Sequence, residues 1–224
     1  RPLLDAIDSA SLPTIGAFTV QGLTNTAWAL ATLGFRNLPL LDSIASASIS
    51  RIADMQPRSI SGTAWAFAPL GCRHNPLIEA ISAAASASIR EFLPRDLTSL
   101  LWACATLGEA DRPLLAAISC AAQGRLSDFS AHDLSMTAWS LATLAFDDRP
   151  LLHAIAAAAM TPMERAAVGD DAFGPQGLSS LAWSCATLHY RHEPLLYAMS
   201  ARACSIMSEF GTQGLAGLAW SFAE

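Results

Sequence analysis

Apolar residues recur along the chain with the spacing of amphipathic helices. Between residues 21 and 33, at about 100° per residue, one helical face is nearly apolar and carries Leu23, Thr26, Ala27, Leu30 and Leu33. The opposite face carries Gln21, Thr24, Asn25, Trp28 and Thr32. No stretch shows sustained period-two alternation or an Asn-Gly hairpin signal. The pattern therefore predicts an all-α protein.

The six tryptophans show that this helical pattern is repeated. They are Trp28, Trp65, Trp102, Trp139, Trp183 and Trp220, at intervals of 37, 37, 37, 44 and 37 residues. A repeat of this length accommodates two helices of about 12–15 residues and two short connections. We predict one continuous array of stacked helical hairpins over residues 1–224, an α-solenoid with a right-handed superhelix.

Proline and glycine mark the expected helix ends. Pro-Leu-Leu or Pro-Leu-Ile steps follow five tryptophans by eleven residues and predict the start of the second helix, helix B, at Pro39, Pro76, Pro113, Pro150 and Pro194. The first helix, helix A, carries the tryptophan, and three copies begin with proline: Pro57, Pro94 and Pro175. Gly34, Gly71 and Gly108 predict its C-terminal end, because glycine adopts the left-handed conformation without strain.

The one irregular interval, between Trp139 and Trp183, contains seven extra residues near residues 161–171. They predict either a longer helix B or a loop, which is a tolerated insertion or a contact with a partner. The chain starts without Met and stops within helix A, and neither end carries the polar cap that solenoids need. We therefore expect it to be a segment of a longer protein.

Each tryptophan lies among small or polar residues, away from the apolar stripe of helix A. Two interpretations are open. The rings pack between neighbouring A helices and hold the repeats together. Alternatively, they line an open surface on which nucleobases stack.

Charge is distributed unevenly over the repeat. The net charge is −6, and all thirteen basic residues are arginine, which argues against non-specific binding of polyanions. The acidic residues concentrate on helix B and its loops, whereas the only arginines of helix A are Arg58 and Arg95. The loop from helix A to helix B carries one arginine per complete repeat, namely Arg36, Arg73, Arg112, Arg149 and Arg191. This line either contacts phosphates or an acidic partner, or it pairs with loop acids and caps helix A carbonyls.

No catalytic constellation, P-loop or dinucleotide-binding motif is present in the sequence, so we predict neither an enzyme nor a cofactor. His189 and His192 lie near Glu193, but without a third ligand at helical spacing they predict no metal site. Cys104 and Cys185 replace Leu30, Phe67 and Leu141 at one core position and are expected to be buried and reduced. The apolar runs are too short to span a bilayer.

The residues from Leu23 to Gly34, with the lead-ins from Phe92 to Leu97 and from Phe173 to Leu178, resemble octotricopeptide-type repeats and the helical repeats that accompany RAP domains. The resemblance covers the whole chain. It implies a pentatricopeptide-like α-solenoid that works in a chloroplast or mitochondrion and binds organellar RNA to govern its stability, processing or translation. It also implies that the variable helix A position three residues before each tryptophan meets the bases; these residues are Asn25, Gly62, Ser99, Met136, Ser180 and Gly217.

Two functions follow as hypotheses. In the first, the array binds single-stranded RNA through the helix A edge, with the loop arginines on phosphates. The proposed edge residues are Gln21, Asn25, Arg58, Arg95, Ser99, His132, Met136, Gln176, Ser180 and Gln213. In the second, the array is a protein-binding scaffold or a peripheral subunit of a large organellar assembly. Resemblance favours RNA, while the acidic charge and the small residues at Gly62 and Ser99 favour the scaffold.

Overall fold

The protein is all-α, as the sequence pattern predicts. The computed structural model describes residues 10–164 and 173–223, and within these ranges every regular element is a helix. The first six α-helices are α1 (Val20–Thr32), α2 (Leu38–Ser50), α3 (Pro57–Phe67), α4 (Asn75–Ser88), α5 (Pro94–Leu107) and α6 (Arg112–Gln123). The remaining five are α7 (Ala131–Thr143), α8 (Arg149–Glu164), α9 (Pro175–Thr187), α10 (Glu193–Ser205) and α11 (Thr212–Ala223).

The predicted alternation of two helix types is confirmed. The odd-numbered helices carry the tryptophans and correspond to helix A, and the even-numbered helices correspond to helix B. Proline is the first residue of α3, α5 and α9 and the second residue of all the even-numbered helices. Proline is tolerated there because the first turn of a helix does not use its N–H. Short 3₁₀ turns, at Ile52–Asp54, Ile89–Glu91, Leu126–Asp128 and Met207–Glu209, precede four of the odd-numbered helices.

The chain divides into two compact units, Arg1–Ala117 and Ile118–Glu224. Both contain the same hairpin repeat. The continuous array over residues 1–224 and its right-handed superhelix therefore stay predictions.

In each compact unit the odd-numbered helices pack side by side. Helix α3 lies between α1 and α5, and α9 lies between α7 and α11. The even-numbered helices form a second layer, with α2 against α4 and α8 against α10. The core lies between the layers and contains the leucine of the Pro-Leu step together with a leucine or isoleucine of helix A, as in Leu23, Leu40, Ile60, Leu77, Leu134, Leu151, Leu178 and Leu195. Burial of each such side chain contributes about 1.5–3 kcal/mol.

One residue of the predicted apolar face of helix A, Leu33, is exposed and not buried. Leu33 is 63% exposed, although Leu70, Leu107 and Leu188 at the same position are buried. Leu33 follows the last residue of α1, but the buried Leu70 and Leu188 likewise follow the last residues of α3 and α9, so its place after the helix does not by itself set its burial. The helical periodicity therefore predicts burial for Leu23, Ala27 and Leu30 correctly and is wrong for Leu33.

The irregular interval contains a longer helix B. Helix α8 runs for sixteen residues to Glu164 and includes Pro162 in its last turn. The rest of the expected insertion, residues 165–171, lies outside the described residues, as does the start of the chain before residue 10. None of the described helices is both long enough and apolar enough to cross a lipid bilayer.

The first residue before every helix B is a capping side chain. Asn37, His74 and His192 accept a hydrogen bond from the backbone N–H three residues later, at 3.1 Å in each case. Asp111 and Asp148 do the same for Leu114 and Leu151, at 3.2 and 3.0 Å. Each bond satisfies a backbone donor that the first helical turn leaves unpaired.

Helix A ends in a left-handed residue. Gly34, Gly71 and Gly108 have φ of +60°, +59° and +70°, as predicted, and Ala145 and His189 take the same place with φ of +48°. A residue with a Cβ is strained in this region by roughly 1–2 kcal/mol.

We expect Ala145→Gly to raise the free energy of unfolding by about 1 kcal/mol, because it relieves this strain. Urea denaturation followed by circular dichroism measures the change. The matched control is Ala157→Gly, at an exposed interior position of α8, which should lower the free energy by about 1 kcal/mol. A loss of stability in both variants would contradict the proposed strain at Ala145.

Candidate functional site

In each compact unit the odd-numbered helices share one open face. The outer edge of each face is formed by the second residue of these helices, and all of these residues are exposed: Gln21, Arg58 and Arg95 in the first unit, and His132, Gln176 and Gln213 in the second. The residues three before the tryptophans lie about one turn further along the same helices. Asn25 is exposed, while Gly62, Ser99, Met136, Ser180 and Gly217 are half-buried. Within each unit the repeat register therefore brings the predicted edge and slot residues onto one surface.

The tryptophans lie at the C-terminal side of this face and none is fully buried. Trp28 and Trp220 are 53% and 47% exposed, and the other four are half-buried. The rings of Trp65 and Trp102 stack between α3 and α5, with centroids 5.9 Å apart and planes at 28°. This pair therefore packs between two repeats and is also partly exposed on the open face, so both interpretations of the tryptophans apply to it.

Small residues let neighbouring odd-numbered helices approach closely beneath this face. The hydroxyls of Thr24 and Thr63 hydrogen-bond at 3.2 Å between α1 and α3. A Cβ on Gly62 would lie 3.1 Å from the Thr24 methyl, so glycine in this slot reflects packing. In the second compact unit the Ser179 hydroxyl donates to the Gly214 carbonyl at 3.3 Å. Gly217 differs, since a Cβ there would meet nothing within 4 Å.

A groove opens on this face between α7 and α9. Its cavity volume is about 260 Å³, slightly below the roughly 300–1,000 Å³ of small-molecule pockets. Four of the predicted site residues line it, two from each helix: His132, Met136, Gln176 and Ser180. Phe173, Gly174 and Gly177 complete the wall next to Ser135. The sequence analysis predicted these four residues as parts of the site, but it did not predict that they line one groove.

Acidic side chains near this face are used as helix caps. The Asp96 carboxylate accepts the backbone N–H of Leu93 at 3.2 Å, and the Asp133 carboxylate accepts from the N–H and the hydroxyl of Ser130 at 3.2 and 2.7 Å. Arg58 and Arg95 are exposed and form no ion pair with any described residue. Arg58 and Arg95 are thus free cations at this edge, and the exposed carboxylates of Asp54 and Glu91 lie in the 3₁₀ turns that precede the same two helices.

The loop arginines divide into two groups. Arg73 donates to the carbonyl of Leu107, the last residue of α5, and lies 3.9 Å from Glu109. Arg149 pairs with Asp147 at 2.7 Å and donates to the carbonyls of Leu188 and His189, at 3.2 and 3.4 Å. These two side chains cap the C-terminus of the following helix A, where carbonyls lack intrahelical partners. Arg36, Arg112 and Arg191 are exposed and form no ion pair among the described residues.

The region around His192 is an aromatic cluster and not a metal site. Its ring contacts His153 edge-on at 5.3 Å and stacks on Tyr190 at 6.0 Å, and Arg149 lies over the Tyr190 ring at 5.7 Å. Burial raises the pKa of the Tyr190 phenol. Within the described residues no three His, Cys, Asp or Glu side chains come together as metal ligands. His189 instead occupies the left-handed position after α9.

The cysteines of the core are unreactive. Cys104 and Cys185 are buried at the position predicted for them, and burial raises the pKa of each thiol to about 12. A thiol with so high a pKa is almost entirely protonated at neutral pH and is a poor nucleophile or metal ligand. These residues act as small apolar side chains.

The fold and the site define an all-α repeat protein with an open, part-polar face that carries grooves and exposed tryptophans. Comparison with known families identifies the particular kind. The family model of the RNA-editing substrate-binding complex 6 protein (RESC6) matches residues 3–224, so the chain belongs to this family. No curated protein matches the chain.

The loop arginines that cap carbonyls should contribute to stability, and the free ones should not. We expect Arg149→Gln to lower the free energy of unfolding by about 1 kcal/mol, since it removes hydrogen bonds from a charged but largely solvent-exposed donor. Arg191→Gln removes the same charge from an unpaired side chain and should change it by less than about 0.5 kcal/mol. Chemical denaturation measures both, and equal effects would show that Arg149 does not act as a cap.

Proposed function

We propose that this chain is a non-enzymatic component of an RNA-editing substrate-binding complex and that the open face of its odd-numbered helices binds single-stranded RNA. Family membership supports the first part. The second rests on one observation: four residues selected from the repeat register alone line a single groove on that face. We also propose that its repeats are of the octotricopeptide type.

The face offers the three kinds of contact that a single strand uses. Arg58 and Arg95 supply free positive charge for phosphates at the outer edge. Exposed rings such as Trp28 supply stacking surface. The slot and edge residues between them supply hydrogen-bonding groups for base edges. The carboxylates of Asp96 and Asp133 keep their negative charge but are held against their own helix starts as caps.

A protein-binding role is the second candidate, and one observation favours it. Arg73 and Arg149, two of the five loop arginines proposed to contact phosphates, are tied to carbonyls of the next repeat. Trp28 and Trp220, each about half exposed, are of the residue type that dominates protein interfaces. In this case the chain holds other subunits of the complex together and RNA binds elsewhere.

We also propose an organellar location. RNA-editing complexes of the kind named by the family are mitochondrial, which favours the mitochondrion over the chloroplast.

The test is binding of the purified chain to a random single-stranded RNA pool across a salt series. We expect the double variant Arg58→Gln/Arg95→Gln to bind more weakly for all sequences. It should also reduce the slope of log K against log salt by about 1.4, since each phosphate contact on a single strand contributes about 0.7. The matched control, Arg51→Gln/Arg90→Gln, removes two arginines that lie outside the odd-numbered helices and outside the loops from helix A to helix B, and it should leave the slope unchanged.

Absence of binding by the wild type even at low salt would contradict the RNA-binding function and leave the protein scaffold. An equal loss of slope in both double variants would show that binding depends on charge without using the proposed face.

A further inference from the structure

We propose that the groove between α7 and α9 holds one unpaired adenine and that Gln176 recognises its edge. This inference rests on the proposed RNA-binding function and names the base and the residue at one place on the face.

The groove is suited to a single planar group. Its volume of about 260 Å³ is shared between the two helices and is open to solvent at the face. Gly177 closes the floor: a Cβ built on it would lie 3.5 Å from the Phe173 ring and 3.5 Å from the Ser135 hydroxyl, which is ordinary contact. The backbone of α9 thus forms the floor of the groove at Gly177.

The start of α9 differs from the starts of the neighbouring odd-numbered helices. Where α9 has Gly177, α5 has Asp96 and α7 has Asp133, each of which folds back to cap its own helix. The residue before α9 is Gly174, which provides no side-chain cap. Among the described residues, α9 therefore adds neither a carboxylate nor a capping hydroxyl to the groove at these two positions.

The rim of the groove carries polar groups without an internal role. The Gln176 amide and the His132 ring are exposed, and neither side chain makes a hydrogen bond with another described residue. Other polar side chains of this region are engaged: the Ser135 hydroxyl donates to the His132 carbonyl at 2.9 Å, and the Ser179 hydroxyl donates to the Pro175 carbonyl at 2.8 Å. Gln176 and His132 are therefore the groups available to a ligand.

The chemistry of these groups selects a base. A glutamine amide presents one donor and one acceptor side by side and pairs in bidentate fashion with N6 and N7 of adenine. The Met136 thioether contacts aromatic rings favourably, and a histidine ring stacks on bases. An adenine between Met136 and His132, with its edge toward Gln176, uses all three.

The test compares base preferences after enrichment from the random RNA pool. In the wild type we expect adenine to be preferred at one position of the enriched motif. Gln176→Ala should reduce that preference by between about five- and 100-fold, the discrimination that one bidentate contact provides. Gln21→Ala changes the same residue type at the same place in α1 and should leave the adenine position intact.

A second variant tests the groove itself. Gly177→Asp places in α9 the residue that α5 and α7 carry, at a site where a Cβ makes only ordinary contacts. It should abolish the adenine preference while circular dichroism shows an unchanged helical fold.

The outcomes separate the two claims. Wild-type binding to RNA with no adenine position, or an adenine preference that survives both Gln176→Ala and Gly177→Asp, would overturn the adenine groove and leave the proposed function standing. No RNA binding by the wild type would overturn both.

Discussion

The close packing of neighbouring odd-numbered helices is the constraint on which the rest of the structure depends. Helices α1, α3 and α5, and likewise α7, α9 and α11, meet through small residues, as shown by the 3.2 Å bond between Thr24 and Thr63. The tryptophans lie to one side of this interface, where they stay partly exposed and where Trp65 and Trp102 stack on each other. The same register carries the second residue of every odd-numbered helix to the surface. In each compact unit one face therefore collects rings and polar side chains from successive repeats, while the leucines of both helix types fill the core behind it.

Much of this arrangement could be predicted from the sequence, because it depends on local rules that recur in every repeat. Proline can occupy only the first turn of a helix without cost, so it marked the helix starts correctly. Glycine marked three helix ends, but Ala145 and His189 adopt the same left-handed conformation, and nothing in their residue type indicates it. The burial of Leu33 was predicted wrongly, because periodicity assigns a face to each residue but does not show whether a neighbouring element covers that face.

The partners of long side chains could not be predicted, since they depend on distances between repeats. Arg36 and Arg73 occupy the same position after a tryptophan, yet only Arg73 reaches a carbonyl of the following helix A. The groove between α7 and α9 was missed for a related reason. The groove depends on Gly174 and Gly177, which have no side chains to fill it. A sequence pattern shows which residues are present but not the space between them. As a consequence, repeats that share the same sequence pattern differ in the side chains and grooves that they offer to a ligand.

The central claim is that ligand binding takes place on the face of the odd-numbered helices. Hydrogen–deuterium exchange with mass spectrometry, in the presence and absence of a single-stranded RNA selected from a random pool, tests this most directly. The account predicts slower exchange in the first turns of α3, α5, α7 and α9 when RNA is bound, with no change in α2, α4, α8 and α10. Protection of the even-numbered helices, or protection confined to the loops that carry Arg36 and Arg191, would contradict it.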